Sequence, residues 1–425
     1  MSSYPVALAP DPVVPQRDHL MDLDAVARLF SMRLGRRGPV PIRSCRIDRV
    51  SYRPGNRLRT VYRVGTGGPD TYVAASTFHA RSRGERAYEK AAGTAGGSGA
   101  LRPVLYDAEL DTVFWTFPND RKIENLSAVA EAREDLRRLL DRYWARSCLV
   151  DYKPETSAVV GCLDDASRVI GYAKVHAGDE GERTHRVQET VTRLARGSGL
   201  RIARPLAYSR QYRTLLVEPI AGTSIRWLAG AGLLAGLHAY GAALARLHSL
   251  PLPARPDDLA MGGRDALERL RHRAEGVRAV RPDVGEQVSE LLGELTARWG
   301  EVPERRVPIH GDANESNAIL QGDRLVLIDF DRACVGVAGS DIGNFLSLLR
   351  YFRSLGVISP RAERARAAAF ARGYSSVRAL PHPDSLRVHE SAALAERAFR
   401  SVARLRGSAL LRLPAFLAEA WGLLR

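Results

Sequence analysis

The segment from Ile309 past Ile342 carries three pieces on which the reading of this chain turns: IHGDANESNAIL, LVLIDFDRA and GSDIGNF. The apolar run LVLI before Asp329 has the composition of a buried strand, and the Asp- and Asn-rich stretches beside it read as turns. The sequence around this short strand region is helical in pattern. LLAGLHAYGAALARLHSL, RDALERLRHRAEGVRAV and VGEQVSELLGELTARWG precede it with apolar residues at helical spacing, and helices return to the C-terminus.

The first half differs. VSYRPG at Val50–Gly55 parallels VDYKPE at Val150–Glu155, FHARSRGER at Phe78–Arg86 parallels VHAGDEGER at Val175–Arg183, and RPVLY at Arg102–Tyr106 parallels RPLAY at Arg204–Tyr208. The offsets are 100, 97 and 102 residues, so two copies run in the same order with small insertions. Each copy reads as strand, turn, strand, strand, helix, strand: a small antiparallel sheet with one helix. The repeat predicts β lobes over 46–125 and 148–222, joined by a charged helix at Asn125–Cys148. A loosely docked arm (residues 1–20) and a helix capped by Asp22 lead into them. The expected fold is α+β: arm and helix at 1–45, a degenerate β lobe with its linker at 46–147, a second β lobe at 148–222, and a helical lobe at 223–425.

At 425 residues the chain is too long for one small core. The net charge is +15, but of 63 basic residues only four are lysines, and the excess is scattered with no basic run. A nucleic-acid footprint would be clustered, so no nucleic-acid partner is expected. Cys45, Cys148, Cys162 and Cys334 lie far apart, without metal spacing or a disulfide framework. No apolar run approaches the ~18 residues that cross a bilayer, and the N-terminus lacks signal-peptide character. A soluble, cytoplasmic protein is expected, with no membrane partner.

The three pieces resemble the aminoglycoside and small-molecule phosphotransferases, whose signature is HGDxxxxN, a strand ending in IDF, and an Asp at a helix start. His310, Gly311, Asp312 and Asn317 match the first part, Ile328, Asp329 and Phe330 the second, and Asp341 the third. ALARLHSLP at Ala243–Pro251 and LLVEPIAG at 215–222 extend the resemblance, which covers roughly residues 148–350. It implies a two-lobe, protein-kinase-like fold with the first β lobe as an added cap, and ATP and Mg²⁺ as cofactors. Phosphoryl transfer needs positioning and charge neutralisation rather than covalent help. Asp312 is then the carboxylate that accepts or orients the proton of the attacking hydroxyl. Asn317 and Asp329 offer Mg²⁺ the hard oxygens it prefers. His310 holds the loop by hydrogen bonds, and Asp341 ties the helical lobe to it. Asp331 reads as a substrate contact or a turn residue.

On the nucleotide side, the resemblance makes Lys174, in VIGYAKVHA, the phosphate-gripping lysine, paired with a glutamate of the following helix. Glu189 is preferred over Glu182. The turn KPETS (153–157) is expected over the phosphates, with Thr156 and Ser157 as contacts, and the hinge around Glu218 and Ile220 against adenine. Aligning FHA with VHA puts Thr77 where Lys174 stands, so the first lobe should not bind ATP as a kinase does. The acceptor is expected to be a hydroxyl-bearing small molecule such as a sugar, polyol or antibiotic. Two rivals are Ser/Thr side chains of a ribosomally made precursor peptide, and a catalytically inactive binding module. The segment Arg361–Arg425 is rich in arginine and poor in acids, which counts against a cationic aminoglycoside. A protein partner would use the cap or the C-terminal helices. Trp227, Trp299, Trp421 and the stripe ALLRLPAFLAEAWGLL are expected to pack.

Overall fold

The computed structural model describes residues 7–96, 99–253, 259, 264–301 and 305–425. The first six residues of the expected arm lie outside this set. From residue 7 onward the arm is docked rather than loose. Asp11 accepts from the Tyr52 hydroxyl at 2.6 Å and the Gly55 N–H at 2.9 Å, and Val14, Arg17 and Leu20 are buried. Helix α1 (Leu23–Arg33) follows, its Asp22 side chain accepting from the Asp24 and Ala25 N–H groups.

Strands β1 (Ser44–Arg53), β2 (Arg57–Gly65), β3 (Thr71–Thr77), β4 (Val104–Asp107) and β5 (Thr112–Thr116) form an antiparallel sheet in the order β1-β2-β3-β5-β4. Helix α2 (Arg81–Thr94) connects β3 to β4. A second sheet is built from β6 (Arg146–Lys153), β7 (Ser157–Leu163), β8 (Val169–His176), β9 (Pro205–Ser209) and β10 (Thr214–Val217). Its order, β6-β7-β8-β10-β9, is the same, and α3 (Glu180–Leu194) takes the place of α2. Small details also coincide. Asp111 and Arg213 both have positive φ, and their carbonyls accept from the Phe78 and His176 N–H groups at 2.9 and 3.0 Å.

The ladders correct the alignment of the two copies by one residue. Lys174 lies between Val159 and Leu215, whereas the corresponding place between Arg59 and Val113 belongs to Ser76. Ser76, not Thr77, therefore stands where Lys174 does, and Phe78 corresponds to His176. The shared His-Ala pair misleads because it falls where the strand ends, and the connection from there to the helix differs in length between the copies. A one-residue slip in a strand exchanges its two faces. Thr77 is buried and accepts from the Leu58 N–H through Oγ1 at 2.9 Å.

The linker is not one charged helix. Only Leu126–Ala130 and Glu134–Arg137 are helical, and Ala132, with φ of 51°, breaks the run between them. Leu126, Val129, Leu136 and Trp144 anchor it in the core shared by the two sheets; their spacing would suit one face of a continuous helix, and it is the backbone break at Ala132 that the apolar pattern does not announce.

The helical lobe consists of α4 (Gly230–His248), α5 (Arg264–Val280), α6 (Gly285–Arg298), α7 (Ala338–Ser354), α8 (Pro360–Ser375), α9 (Pro383–Ala403) and α10 (Leu413–Gly422), with short helical turns between. Helices α4 and α8 cross closely: a Cβ on Gly373 would meet the His238 carbonyl at 1.8 Å. Among them run β11 (Arg306–Ile309), paired with β14 (Cys334–Val337), and the hairpin of β12 (Ala318–Gln321) and β13 (Arg324–Leu327). The two loops at 310–317 and 328–333 thus lie side by side, facing the second sheet.

One core fills this lobe. A second lies between the two sheets. A third joins the opposite face of the first sheet, through Tyr52, Leu58 and Tyr62, to α1, α5, α6, α9 and α10. The first lobe is therefore buried on both faces, and the C-terminal stripe packs into that third core through Leu413, Phe416 and Leu417. Trp299 and Trp421 pack against it, but Trp227 does not pack: it is 71% exposed, with Arg226 over its ring. Among the described residues no helix is long and apolar enough to cross a membrane.

Candidate active site

The loop after β11 starts with a turn that only glycine fits. Gly311 has φ of 74°, and a Cβ there would lie 2.2 Å from the Arg332 carbonyl, so the loop presses against the one that follows Asp331. Asp341, in the first turn of α7 and 1% exposed, accepts from the His310 and Gly311 N–H groups at 2.7 and 2.9 Å. It also accepts from His248 Nε2 at 3.1 Å, while His248 Nδ1 accepts a hydrogen bond from the Tyr374 hydroxyl at 2.9 Å. Burial pushes the Asp341 carboxyl up, but His248, His310 and these hydrogen bonds hold it below its ordinary value. His310 Nε2 donates to the Ile328 carbonyl at 2.9 Å, joining the first loop to the end of β13.

Within this frame Asn317 is buried and donates Nδ2 to the Asp312 carbonyl oxygen at 2.9 Å, which leaves its Oδ1 as an open acceptor. Asn344 of α7 donates to the Ala313 carbonyl at 2.9 Å. The Asp312 side chain is half-buried, and its carboxylate makes no hydrogen bond or ion pair with any described residue. A carboxylate in a fixed loop with no partner of its own is free to receive a proton.

Asp329 has φ of 63°, a left-handed conformation that Asp tolerates better than most residues. Lys174 Nζ lies 3.3 Å from Asp329 Oδ1 and pairs more tightly with Asp331. Burial alone would lower the Lys174 pKa; the two carboxylates raise it. Burial raises Asp329, but Lys174, His310 and Lys153 bring it below the ordinary range. Asp331 is instead raised, by burial and by Asp329 beside it, against the pull of Lys174. Sequence reasoning left Asp331 undecided between a contact and a turn. The signal was there in the spacing IDFD, with a second carboxylate two residues after the first.

Lys174 is not paired with a glutamate of α3. Glu189 is 57% exposed in its side chain and lies 3.7 Å from His185; Glu182 pairs with Arg210 at 2.6 Å. The face that α3 turns inward carries Thr184, Val187, Gln188 and Val191, and Gln188 donates to the Ala203 carbonyl at 2.6 Å. Positions 182 and 189 thus belong to the solvent face.

The turn between β6 and β7 is held by the first lobe. Glu155 has φ of 57°, and its fully buried side chain pairs with Arg59, with Arg121 at 2.9 Å and with Lys122 at 3.7 Å. Its N–H donates to Asp120 Oδ2 at 2.8 Å, and the Tyr152 hydroxyl donates to the same oxygen at 2.7 Å. The Thr156 hydroxyl turns back to the Pro154 carbonyl at 3.3 Å, so it is spent on the turn. Ser157 is buried opposite His176, and the pairing puts both on the strand face that carries Lys174 and Val159. Burial and then Lys174 push His176 down to about 4, and its Nε2 is buried without a hydrogen-bond partner.

At the hinge, Glu218 commits its carboxylate to Arg204 at 2.9–3.0 Å and its N–H to the Arg204 carbonyl at 3.0 Å. Its own carbonyl and the Ile220 N–H have no partner among the described residues.

This arrangement of a β lobe, a hinge and a helical lobe that supplies two acidic loops has a family counterpart. Residues 172–380 match the model of the phosphotransferase enzyme family. The matched region takes a two-lobe plan, a β lobe and a helical lobe joined at a hinge, and a further β lobe precedes it. No curated protein matches the chain in sequence. Similar solved structures include an amicoumacin kinase, hAmiN, in complex with AMP-PNP, Ca²⁺ and Ami (12% identity, 64% of this chain and 87% of that one, TM-score 0.49). A thermostable mutant of the aminoglycoside phosphotransferase APH(4)-Ia in its apo form is another (17% identity, 67% and 95%, TM-score 0.49). The macrolide 2'-phosphotransferase MphH from Brachybacterium faecium is a third (16% identity, 66% and 91%, TM-score 0.43).

Proposed function

We propose that the protein moves the γ-phosphoryl group of ATP to a hydroxyl group of a small-molecule acceptor, a sugar, polyol or antibiotic-like compound. The observation that carries this reading is the unpartnered Asp312 carboxylate, set in a loop closed by Asn317 and packed beside the loop that carries Asp329. Asp312 receives the acceptor's hydroxyl proton as that oxygen forms its bond to the γ-phosphorus and the bond to the β,γ-bridging oxygen breaks. Lys174 neutralises phosphate charge, and the open carbonyl of Glu218 and the N–H of Ile220 are oriented for an adenine edge. The residues fit a Mg²⁺ complex of the nucleotide. Asn317 Oδ1 and the anionic Asp329 are hard oxygen ligands, and Lys174 already occupies the cationic place beside Asp329. Bound there, Mg²⁺ would supply charge neutralisation on the phosphates. Among the described residues no three His, Cys, Asp or Glu side chains group as a metal site.

Calorimetry of Mg²⁺–ATP binding to the wild type and to Asp329→Ala tests the reading. Metal-dependent binding lost in the variant supports it, and an acceptor screen by ADP release then follows. A wild type that binds no nucleotide with any divalent ion would overturn it.

One observation favours Ser/Thr of a precursor peptide as a second reading. The first lobe holds a cavity of about 440 Å³ lined by Arg57, Arg83, Arg86, Lys90 and Arg121 and by no carboxylate, a place where an acidic leader segment could sit. Phosphorylation of a Ser peptide only when an acidic leader is attached would shift the weight to it.

A further inference from the structure

Helix α9 and the residue that caps its C-terminus, Arg404, turn one row of arginines toward the acidic loop. Arg397, Arg400 and Arg404 are spaced three and four residues apart, so they lie on one face. Arg397 fixes that face against the catalytic loop. It donates to Asn344 Oδ1 at 2.7 Å and to the Asn344 carbonyl at 2.6 Å, and the Asn344 amide in turn donates to the Ala313 carbonyl next to Asp312. The other two are unlike it. Arg400 and Arg404 are half-buried, and neither guanidinium makes an ion pair or hydrogen bond with a described residue.

Their neighbours are largely of the same sign. Arg400 feels Arg332, from the loop that follows Asp331, and Arg273, against the attraction of Glu396 and Asp312. Arg404 feels Arg400, Arg406 and Arg49, the last from β1 of the first lobe. Glu396 is already taken by Arg273 at 2.9 Å, and Asp151 by Arg49. Burial and this mutual repulsion pull Arg404 down to about 10. Guanidinium groups half-removed from water and left beside one another are costly unless a negative group joins them. The basic face also has a boundary. It begins beside Asp312 and ends at β1, where the C-terminal helices pack against the first lobe.

We propose that the acceptor carries a carboxylate or phosphate group besides its reacting hydroxyl, and that Arg400 and Arg404 bind that group beside Asp312. The inference rests on the phosphotransferase reading above and names the acceptor's chemical class within it. A doubly or singly charged oxyanion bridges two guanidinium groups by bidentate hydrogen bonds. The same charges repel a polycationic acceptor, so the row selects against aminoglycosides as well as for acids.

Inorganic sulfate is the probe, titrated by calorimetry into protein already saturated with Mg²⁺–ADP, so that the nucleotide site is filled. The wild type is expected to bind sulfate, and Arg400→Gln/Arg404→Gln to bind it at least tenfold more weakly. Arg400→Lys/Arg404→Lys, which keeps the charge, should recover part of the loss, and the control Arg361→Gln/Arg412→Gln, two exposed arginines, should stay within twofold of wild type. Equal affinity in the wild type and the Gln pair, or no sulfate binding to the wild type, overturns the proposal. Mg²⁺–ADP binding is read in the same experiment. Its presence with unchanged sulfate binding refutes the anionic acceptor alone; its absence refutes the phosphotransferase reading itself.

Discussion

The two β lobes have the same strand order, the same helix placement and a left-handed residue at the same place before the last strand, yet only one brings a lysine to the acidic loops of the helical lobe. The difference is concentrated on one strand face. In the second lobe that face carries Ser157, Val159, Lys174 and His176; in the first, Arg57, Arg59, Ser76 and Phe78 stand at the same ladder positions. In the second lobe the lysine meets Asp329 and Asp331 of the helical lobe. In the first, Arg59 reaches to the Glu155 of its sister turn. A sheet by itself therefore confers no activity. What matters is which acidic groups the fold brings opposite it. The first lobe has become the support of the second, since the turn expected over the phosphates owes its shape to Asp120, Arg59 and Arg121 of the first lobe and its linker.

The sharpest way to break this contrast is to exchange the discriminating position. Lys174→Met should lower kcat/KM for ATP by about 100- to 1000-fold, the loss of one preorganised charge on the transferred group. It should also leave Asp329 and Asp331 as an unneutralised pair. Ser76→Lys should not create a second site: nucleotide stoichiometry by calorimetry should remain one per chain. Two nucleotides bound by Ser76→Lys would show that the lobes differ by the lysine alone.

A second test separates support from chemistry. Glu155 is wholly buried among Arg59, Arg121 and Lys122. Removing one partner of a buried ionic group leaves the others uncompensated, and Glu155→Gln is expected to cost about 3 kcal/mol of stability. If the first lobe only holds the turn, thermal unfolding should shift downward and the KM for ATP should rise several-fold, with kcat within about threefold of wild type. A kcat loss as large as that of Lys174→Met would place the turn in the chemistry itself.

The same contrast shows what the sequence could reveal. Asp312, Asn317, Asp329 and Asp341 are legible because their spacing is local: each follows or begins one element, and the element is set by a short apolar run or a helix start. The repeat was legible for the same reason, down to the turn at 153–157. What misled was everything that depends on which face an element shows. The partner of Lys174 was sought fifteen residues further on, on α3, because the spacing alone cannot tell that positions 182 and 189 face water while 184 and 188 face inward. The one-residue error that chose Thr77 over Ser76 is of the same kind, since strand faces alternate and only the ladder fixes them. Trp227 failed for a related reason. Apolar character says that a residue can be buried, whereas burial is decided by what the tertiary fold leaves beside it.

A third prediction uses the pair Phe78 and His176. His176 titrates near 4 in the folded protein because burial, and then Lys174, disfavour its charged form, while an unfolded His titrates near 6.5. The folded state thus binds fewer protons between these values. The contribution is complete above pH 6.5 and is lost as the pH falls through that window toward 4. Between pH 7 and pH 5 this group alone should cost about 2 kcal/mol of stability. His176→Phe imports the first lobe's residue and should flatten the slope of chemical unfolding free energy against pH over that range by about that amount. An unchanged slope would mean that another group sets the acid limit.

The smallest expected effect is at Glu189, and it is the most discriminating between the sequence and the structure. Were Lys174 held by a helix glutamate, Glu189→Gln would free the lysine and lower kcat/KM by one or two orders of magnitude. In the structure Lys174 is held by two carboxylates from the helical lobe, and Glu189 touches only His185 at 3.7 Å on an exposed face. An exposed pair of this kind is worth well under about 1 kcal/mol. Steady-state kinetics of Glu189→Gln should therefore stay within twofold of wild type for both kcat and the KM for ATP. Asp331→Asn, measured beside it, should raise the KM for ATP or lower kcat, because it removes one of the two charges that position Lys174. If instead Glu189→Gln were the damaging change and Asp331→Asn the silent one, α3 would have to rotate by about a quarter turn when nucleotide binds, and the lysine would exchange the helical lobe for its own lobe as partner.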